Sequence, residues 1–148
     1  VRLTGDCPLI DPKITDKVVR SHLNSSADFT ANTLERSYPR GVDTEVFSFH
    51  ALEIADKHAK GKIAREHVVP YIKEHPDRFT QKSMTAEKDL QRPDLRLTVD
   101  EKEDLVLVRK VFENLHQHGH LFTTREVINF LDNNPGIARI NEDINQQV

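Results

Sequence analysis

Val1-Arg2-Leu3-Thr4-Gly5-Asp6-Cys7-Pro8-Leu9-Ile10-Asp11-Pro12 is the stretch from which the fold is read. A short apolar run leads into Gly5-Asp6, an apolar turn follows, and Asp11-Pro12 opens an amphipathic segment. That order predicts a strand, a tight turn and a helix start, with one carboxylate at the carboxyl end of the strand. The signature returns as Arg96-Leu97-Thr98-Val99-Asp100, again ahead of a helix. In open α/β sheets, sites form in the crevice beyond the carboxyl ends of strands. Asp6 and Asp100 are therefore expected at strand ends of one parallel sheet, close enough to share a cation. The competing expectation is an Asx turn at Asp6 and a helix cap at Asp100.

Composition bounds the rest. At 148 residues the chain suits one domain with a real core. Charged residues make up 30% and hydrophobic ones 36%, too polar for a generous two-sided core yet too well patterned for disorder. The 24 acids and 21 bases are well mixed, so nucleic-acid binding has no compositional support. A single cysteine, Cys7, excludes an intrachain disulfide framework and fits a reducing, cytoplasmic setting. No apolar stretch is long enough to span a membrane, and the start is not a signal peptide. Val1 opens directly inside an expected strand, which suggests a portion of a larger domain.

Taken in order, Asp11 caps a helix from Pro12 to about Leu23, with Ile14, Val18, Val19, His22 and Leu23 toward the core. Ala27–Ala31 reads as a short strand, and 32–41 as an irregular excursion of the binding-loop kind. Val42–Phe47 reads as a strand, and Ser48 caps a helix over Phe49–Ala59. A helix over Ile63–Glu74 should kink or divide at Pro70, with Ile63, His67, Val68, Tyr71 and Ile72 inward. Phe79–Thr85 and Leu95–Val99 are further strands. The longest helix, Glu101–His118, carries Leu105, Val108, Val111, Phe112 and Leu115 at core spacing, with Gly119 as its C′ residue. Thr123 and Glu126 form a capping box before a short closing helix. The alternation argues α/β.

Four blocks carry a resemblance. Gly5-Asp6-Cys7-Pro8-Leu9-Ile10 resembles the Gly-Asp-x-Pro-Leu-Ile motif of cytidylyltransferases that activate acidic sugars, nearest the SpsF-like branch of spore coat polysaccharide biosynthesis. Gly41-Val42-Asp43-Thr44-Glu45-Val46-Phe47, Arg65-Glu66-His67-Val68-Val69-Pro70 and Leu97-Thr98-Val99-Asp100-Glu101-Lys102-Glu103-Asp104 follow in that branch's order. Leu121 through Asn141 resembles its C-terminal segment. The resemblance implies a partial Rossmann-like nucleotidyltransferase sheet with flanking helices and a protruding strand region, without the N-terminal nucleotide-binding half. Residues 1–31 would be a core strand and helix unit, 32–94 the sugar side and dimerisation region, and 95–148 the second metal strand with the C-terminal helices.

The family's activity is transfer of CMP from CTP to an acidic sugar, with release of pyrophosphate. The resemblance implies that Asp6 and Asp100 bind Mg²⁺ and are the catalytic carboxylates. A hard cation neutralises charge building on phosphoryl oxygens and takes few protein ligands. Arg40, Asp43, Glu45, Arg65 and His67 become substrate-binding candidates. Their competing readings are a solvated strand face or subunit contact for Arg40, Asp43 and Glu45, and a packed helix histidine for His67. A homodimer through the Val42–Phe49 region is implied, and no nucleic acid or membrane partner. Without a triphosphate cradle, this chain alone is expected to be inactive. The rivals are a non-catalytic dimerising module and a transferase for another nucleotide or a neutral sugar. Asp11 reads as a cap, and Cys7 as a small buried residue beside the site.

Overall fold

The computed structural model describes residues 1–67 and 69–144. In chain order it contains α1 (Pro12–Leu23), β1 (Phe29–Ala31), β2 (Glu45–Phe47), α2 (Phe49–His58), α3 (Lys62–His67), α4 (Val69–Glu74), β3 (Gln81–Ser83), α5 (Lys102–Leu115), α6 (Thr124–Asn133) and α7 (Pro135–Ala138). This is the mixed α/β architecture expected. None of its helices is long and apolar enough to cross a membrane. Where one helix was expected over Ile63–Glu74, two are described, α3 and α4; Val68 and the side chain of Ile63 lie outside the described residues. His67 and Leu23, expected inward, are exposed.

Helix starts obey their caps. Asp11 Oδ1 accepts from Lys13 N at 2.8 Å, and Pro12 stands at the first helical position. Ser48 Oγ accepts from Ala51 N at 3.0 Å, starting α2. Thr123 and Glu126 close the capping box before α6.

The strands are shorter than read, and the sheet is mixed rather than parallel. Its order is β2-β1-β3, with β1 antiparallel to β2 and parallel to β3. Ahead of β2, the buried side chain of Asn32 replaces a backbone partner: it donates to Val42 O at 2.9 Å and accepts from Thr44 N at 2.8 Å. The expected strand Leu95–Val99 is reduced to one parallel bridge, Arg40 with Arg96. Gly41 turns away at φ +99°, so the ladder lasts one residue. A Cβ on Gly41 would stand 2.5 Å from the backbone carbon of Leu97, so only glycine allows this approach. The segment leading to Asp6 joins through another bridge, Arg2 with Glu45. Asp6 and Asp100 thus lie beside the three-stranded sheet, not at the ends of its strands.

Two cores follow. Phe29 and Ala31 of β1 pack with Ala51, Ala55, Val69, Ile72 and Phe79, on the α2–α4 side. The larger core gathers Leu9, Ile14, Val42, Leu95 and Leu97 against Leu107, Val108 and Val111 of α5 and Val127, Ile128 and Leu131 of α6. Val42 (0% exposed) and Val46 (5%) are enclosed within the chain, against the expectation that this strand offers apolar side chains to a partner. Only Phe49, on α2, stays largely exposed there.

The buried face of α5 is also rotated. Asp104, Leu107, Val108 and Val111 point inward, while Leu105 and Phe112, expected in the core, are exposed. The cause is Asp104, whose buried carboxylate takes a core position. The helix ends at Leu115, and Gly119, at φ +81°, serves the turn closed by Gln117 and His120 instead of capping α5.

Candidate functional site

Two extended segments lie side by side. Val99 N donates to Asp6 O at 2.8 Å, and Thr98 Oγ1 donates to Asp6 Oδ2 at 3.0 Å. Side chains alternate along extended chain, so Arg96, Thr98 and Asp100 share one side. Thr98 meets Asp6, and Arg96 Nη2 donates to Asp100 Oδ2 at 2.6 Å. Between them, the two carboxylates seen in the sequence are tied to a single five-residue run.

The two aspartates have different partners. Asp100 does not cap α5; Glu101 is the N-cap residue. Asp104 Oδ2 reaches back instead, accepting from Asp100 N and Glu101 N at 3.0 Å each. Asp6 accepts from Thr98, across the chain, and from Thr4 within its own turn. Burial raises the Asp6 pKa, but hydrogen bonds from Thr4 and Thr98 and the charge of Arg2 outweigh it, and the net shift is downward. Asp6 is therefore ionised at neutral pH.

The donor set fits a hard divalent cation in kind. Both aspartates are carboxylates, and the Asp100 side chain is 47% exposed with one oxygen on Arg96. Among the described residues, no three His, Cys, Asp or Glu gather as metal ligands. A cation held by two aspartates must take its other ligands from phosphates and water, the habit of Mg²⁺. Cys7 is buried, its Sγ 3.9 Å from Asp6 Oδ1 and 3.2 Å from Thr4 Oγ1, and burial pushes its thiol pKa up. It is a protonated packing residue next to the carboxylate.

The other candidates sit in four places. Glu45 is buried and clamped by Arg2 at 2.6 Å and Lys73 at 3.2 Å, closing the first segment onto β2. Asp43 takes a two-pronged pair with Arg36, at 2.5 and 3.0 Å, which staples the 32–41 loop. Arg40 is pinned at its backbone beside Arg96: its N donates to Leu95 O, and its O accepts from Leu97 N. Arg65 lies exposed on α3 and pairs with Asp56 of α2. Neither Arg65 nor the exposed His67 has a hydrogen bond or ion pair to Asp6 or Asp100 among the described residues.

Arg96, Thr98, Asp104 and Asn141 belong to the site's network but do not stand out as candidates in the sequence pattern of carboxylates. Asn141 Nδ2 donates to Asp104 Oδ1 at 2.7 Å and to Arg96 O at 3.0 Å, bringing the C-terminal segment into the same network. An arginine inside an apolar strand pattern demands a buried anion, and that signal was available at Arg96. Asn141 had none.

A family profile described as cytidylyltransferase matches residues 1–137. An uncharacterized protein, MJ1063, of Methanocaldococcus jannaschii is 38% identical over 99% of this chain and 58% of its own length. The spore coat polysaccharide biosynthesis protein SpsF of Bacillus subtilis is 30% identical over 93% of this chain and 56% of its own. The solved structure of a cytidylyltransferase from Leptospira borgpetersenii superposes with a TM-score of 0.86 at 33% identity, over 99% of this chain and 59% of that one. The chain thus spans somewhat over half the length of the relatives it matches.

Proposed function

The chain belongs to the cytidylyltransferase family, and from that premise we propose that the protein containing it transfers CMP from CTP to an acidic sugar, releasing pyrophosphate, for a surface or spore coat polysaccharide. Asp6 and Asp100 would hold Mg²⁺. When bound, the cation neutralises charge developing on the phosphoryl oxygens. The observation that carries the reading is the pairing of both carboxylates to one alternating run: Thr98 on Asp6, and Arg96 on Asp100.

The chain's own residues prepare the site. Thr4, Thr98 and Arg2 keep Asp6 ionised against its partial burial. Arg96 fixes the direction of Asp100 and leaves its other oxygen without a protein donor among the described residues. Asp104 and Asn141 hold Arg96 in turn, so the orientation of Asp100 is backed by a buried network behind it. A homodimer remains part of the proposal, but not through Val42 or Val46, which the chain itself buries. The isolated 148-residue chain is expected to turn over no CTP, since its sequence carries no glycine-rich basic loop to cradle a triphosphate.

The test is pyrophosphate release by the native protein that contains this chain, with Mg²⁺, CTP and a panel of acidic and neutral sugars. Turnover with CTP and an acidic sugar is expected, falling about 100-fold or more in Asp6→Asn and Asp100→Asn. Turnover only with another nucleotide or a neutral sugar would overturn the substrate assignment. Silence with every pair would overturn the reading as a whole.

A further inference from the structure

A cavity of about 480 Å³ opens where the Arg96 segment meets α6 and α7, and four arginines line it: Arg40, Arg92, Arg96 and Arg139. Two of them are engaged within the protein. Arg92 is held by Asp94 and Asp132, and Arg96 by Asp100 and Asp104. The other two are not: neither the Arg40 nor the Arg139 guanidinium has a carboxylate or carbonyl partner among the described residues. Arg40 is nevertheless only half exposed, and its backbone is locked to Leu95 and Leu97. Directly bridged to Arg96, it sends its side chain out on the same face. Leu107 and Leu131 form part of the wall, so the cavity offers apolar surface as well as charge.

We propose that this cavity binds a small organic anion, a phosphate- or carboxylate-bearing molecule, with its charged group between Arg40 and Arg139. Arginine presents a planar fork that matches both groups. The volume lies in the range of small-molecule sites. Neither Asp6 nor Asp100 lines the cavity, so its occupant is not the reacting phosphate of the proposed transfer. Arg96 joins the two places, since it lines the cavity and donates to Asp100. An occupant that draws on Arg96 changes how firmly Asp100 is held. Three carboxylates also line the cavity: Asp94 and Asp132, which are paired with Arg92, and the exposed Glu142, which opposes an anion and gives the proposal a second sign to test.

The experiment is calorimetry on the 148-residue chain with inorganic phosphate and, separately, citrate, at constant ionic strength set with sodium chloride. Saturable one-site binding of at least one probe is expected, and the tighter probe tells phosphate from carboxylate. Arg40→Gln and Arg139→Gln should each weaken it about tenfold, and Glu142→Gln should strengthen it. Arg125→Gln, which removes a surface arginine paired with Asp89, should change nothing. Arg139→Lys retains the charge and controls for any loss of fold, which thermal unfolding of each variant also reports. Failure of both probes to saturate, or equal affinity in both glutamine variants and the parent, overturns the proposal.

Discussion

Arg96 and Asp104 meet through two parallel hydrogen bonds of 2.9 Å, Nε to Oδ1 and Nη2 to Oδ2, with Asp104 fully buried. Two backbone amides and Asn141 complete the shell of the carboxylate. Losing one partner of such a pair strands a buried charge, which costs about 3–5 kcal/mol. Asp104→Ala should lower stability by that amount in urea unfolding. Arg96→Lys should also lose a large part of it, because an ammonium cannot span both oxygens.

The same carboxylate fixes a pH dependence. Burial raises its pKa, but Arg96, Asn141 and the amides of Asp100 and Glu101 outweigh this and hold it well below the usual carboxylate range. Between the folded value and the ordinary one near 3.8, the unfolded chain binds a proton that the folded chain does not. Stability therefore rises with pH there. The contribution is complete above the ordinary value and drains away as pH falls through the folded one. Urea midpoints from pH 6 down to 2 should fall more steeply for the parent than for Asp104→Asn.

Gly41 and Gly61 share a left-handed φ, +99° and +97°, but not a neighbourhood. A Cβ at Gly41 meets the Leu97 backbone at 2.5 Å, whereas nothing lies within 4 Å of one at Gly61. Gly61→Ala should cost about 1 kcal/mol from backbone conformation alone. Gly41→Ala should cost several times more and detach the 32–41 loop from the Arg96 segment. Thermal unfolding of the two variants side by side separates strain from collision.

Asp11 caps two helices, accepting from Lys13 N through Oδ1 and from Thr124 N through Oδ2, each at 2.8 Å. Asp11→Asn keeps one acceptor and should lose about 1 kcal/mol, the worth of one cap. Asp11→Ala should lose about twice that or more, since Thr124 N is buried. Equal losses in chemical denaturation would mean that only one of the bonds matters.

Helix starts were legible in the sequence because a cap is a local event. Asp11-Pro12, Ser48 and Thr123 with Glu126 each satisfy amides within three residues of themselves. Strand lengths were not, because they depend on what lies across the ladder. The truncation at Arg40 follows from a collision avoided at Leu97, and that before β2 from a side chain at Asn32. Helix register failed for the same reason in α5. Period counting puts apolar residues inside, and cannot anticipate that Asp104 enters the core to meet Arg96. Asp6 and Asp100 were visible as a repeated motif, and Arg96 as an arginine inside an apolar pattern, while the pairing of Thr98 with Asp6 emerged only with the fold.

Whether Asp6 and Asp100 share a cation is decided most directly by paramagnetic broadening in amide NMR spectra of the chain, with Mn²⁺ standing in for Mg²⁺. At substoichiometric Mn²⁺ the Asp6 and Asp100 signals should broaden together, and either Asp6→Asn or Asp100→Asn should abolish the effect at both positions. Broadening at only one of them, or at both undiminished by the substitutions, would contradict a shared site.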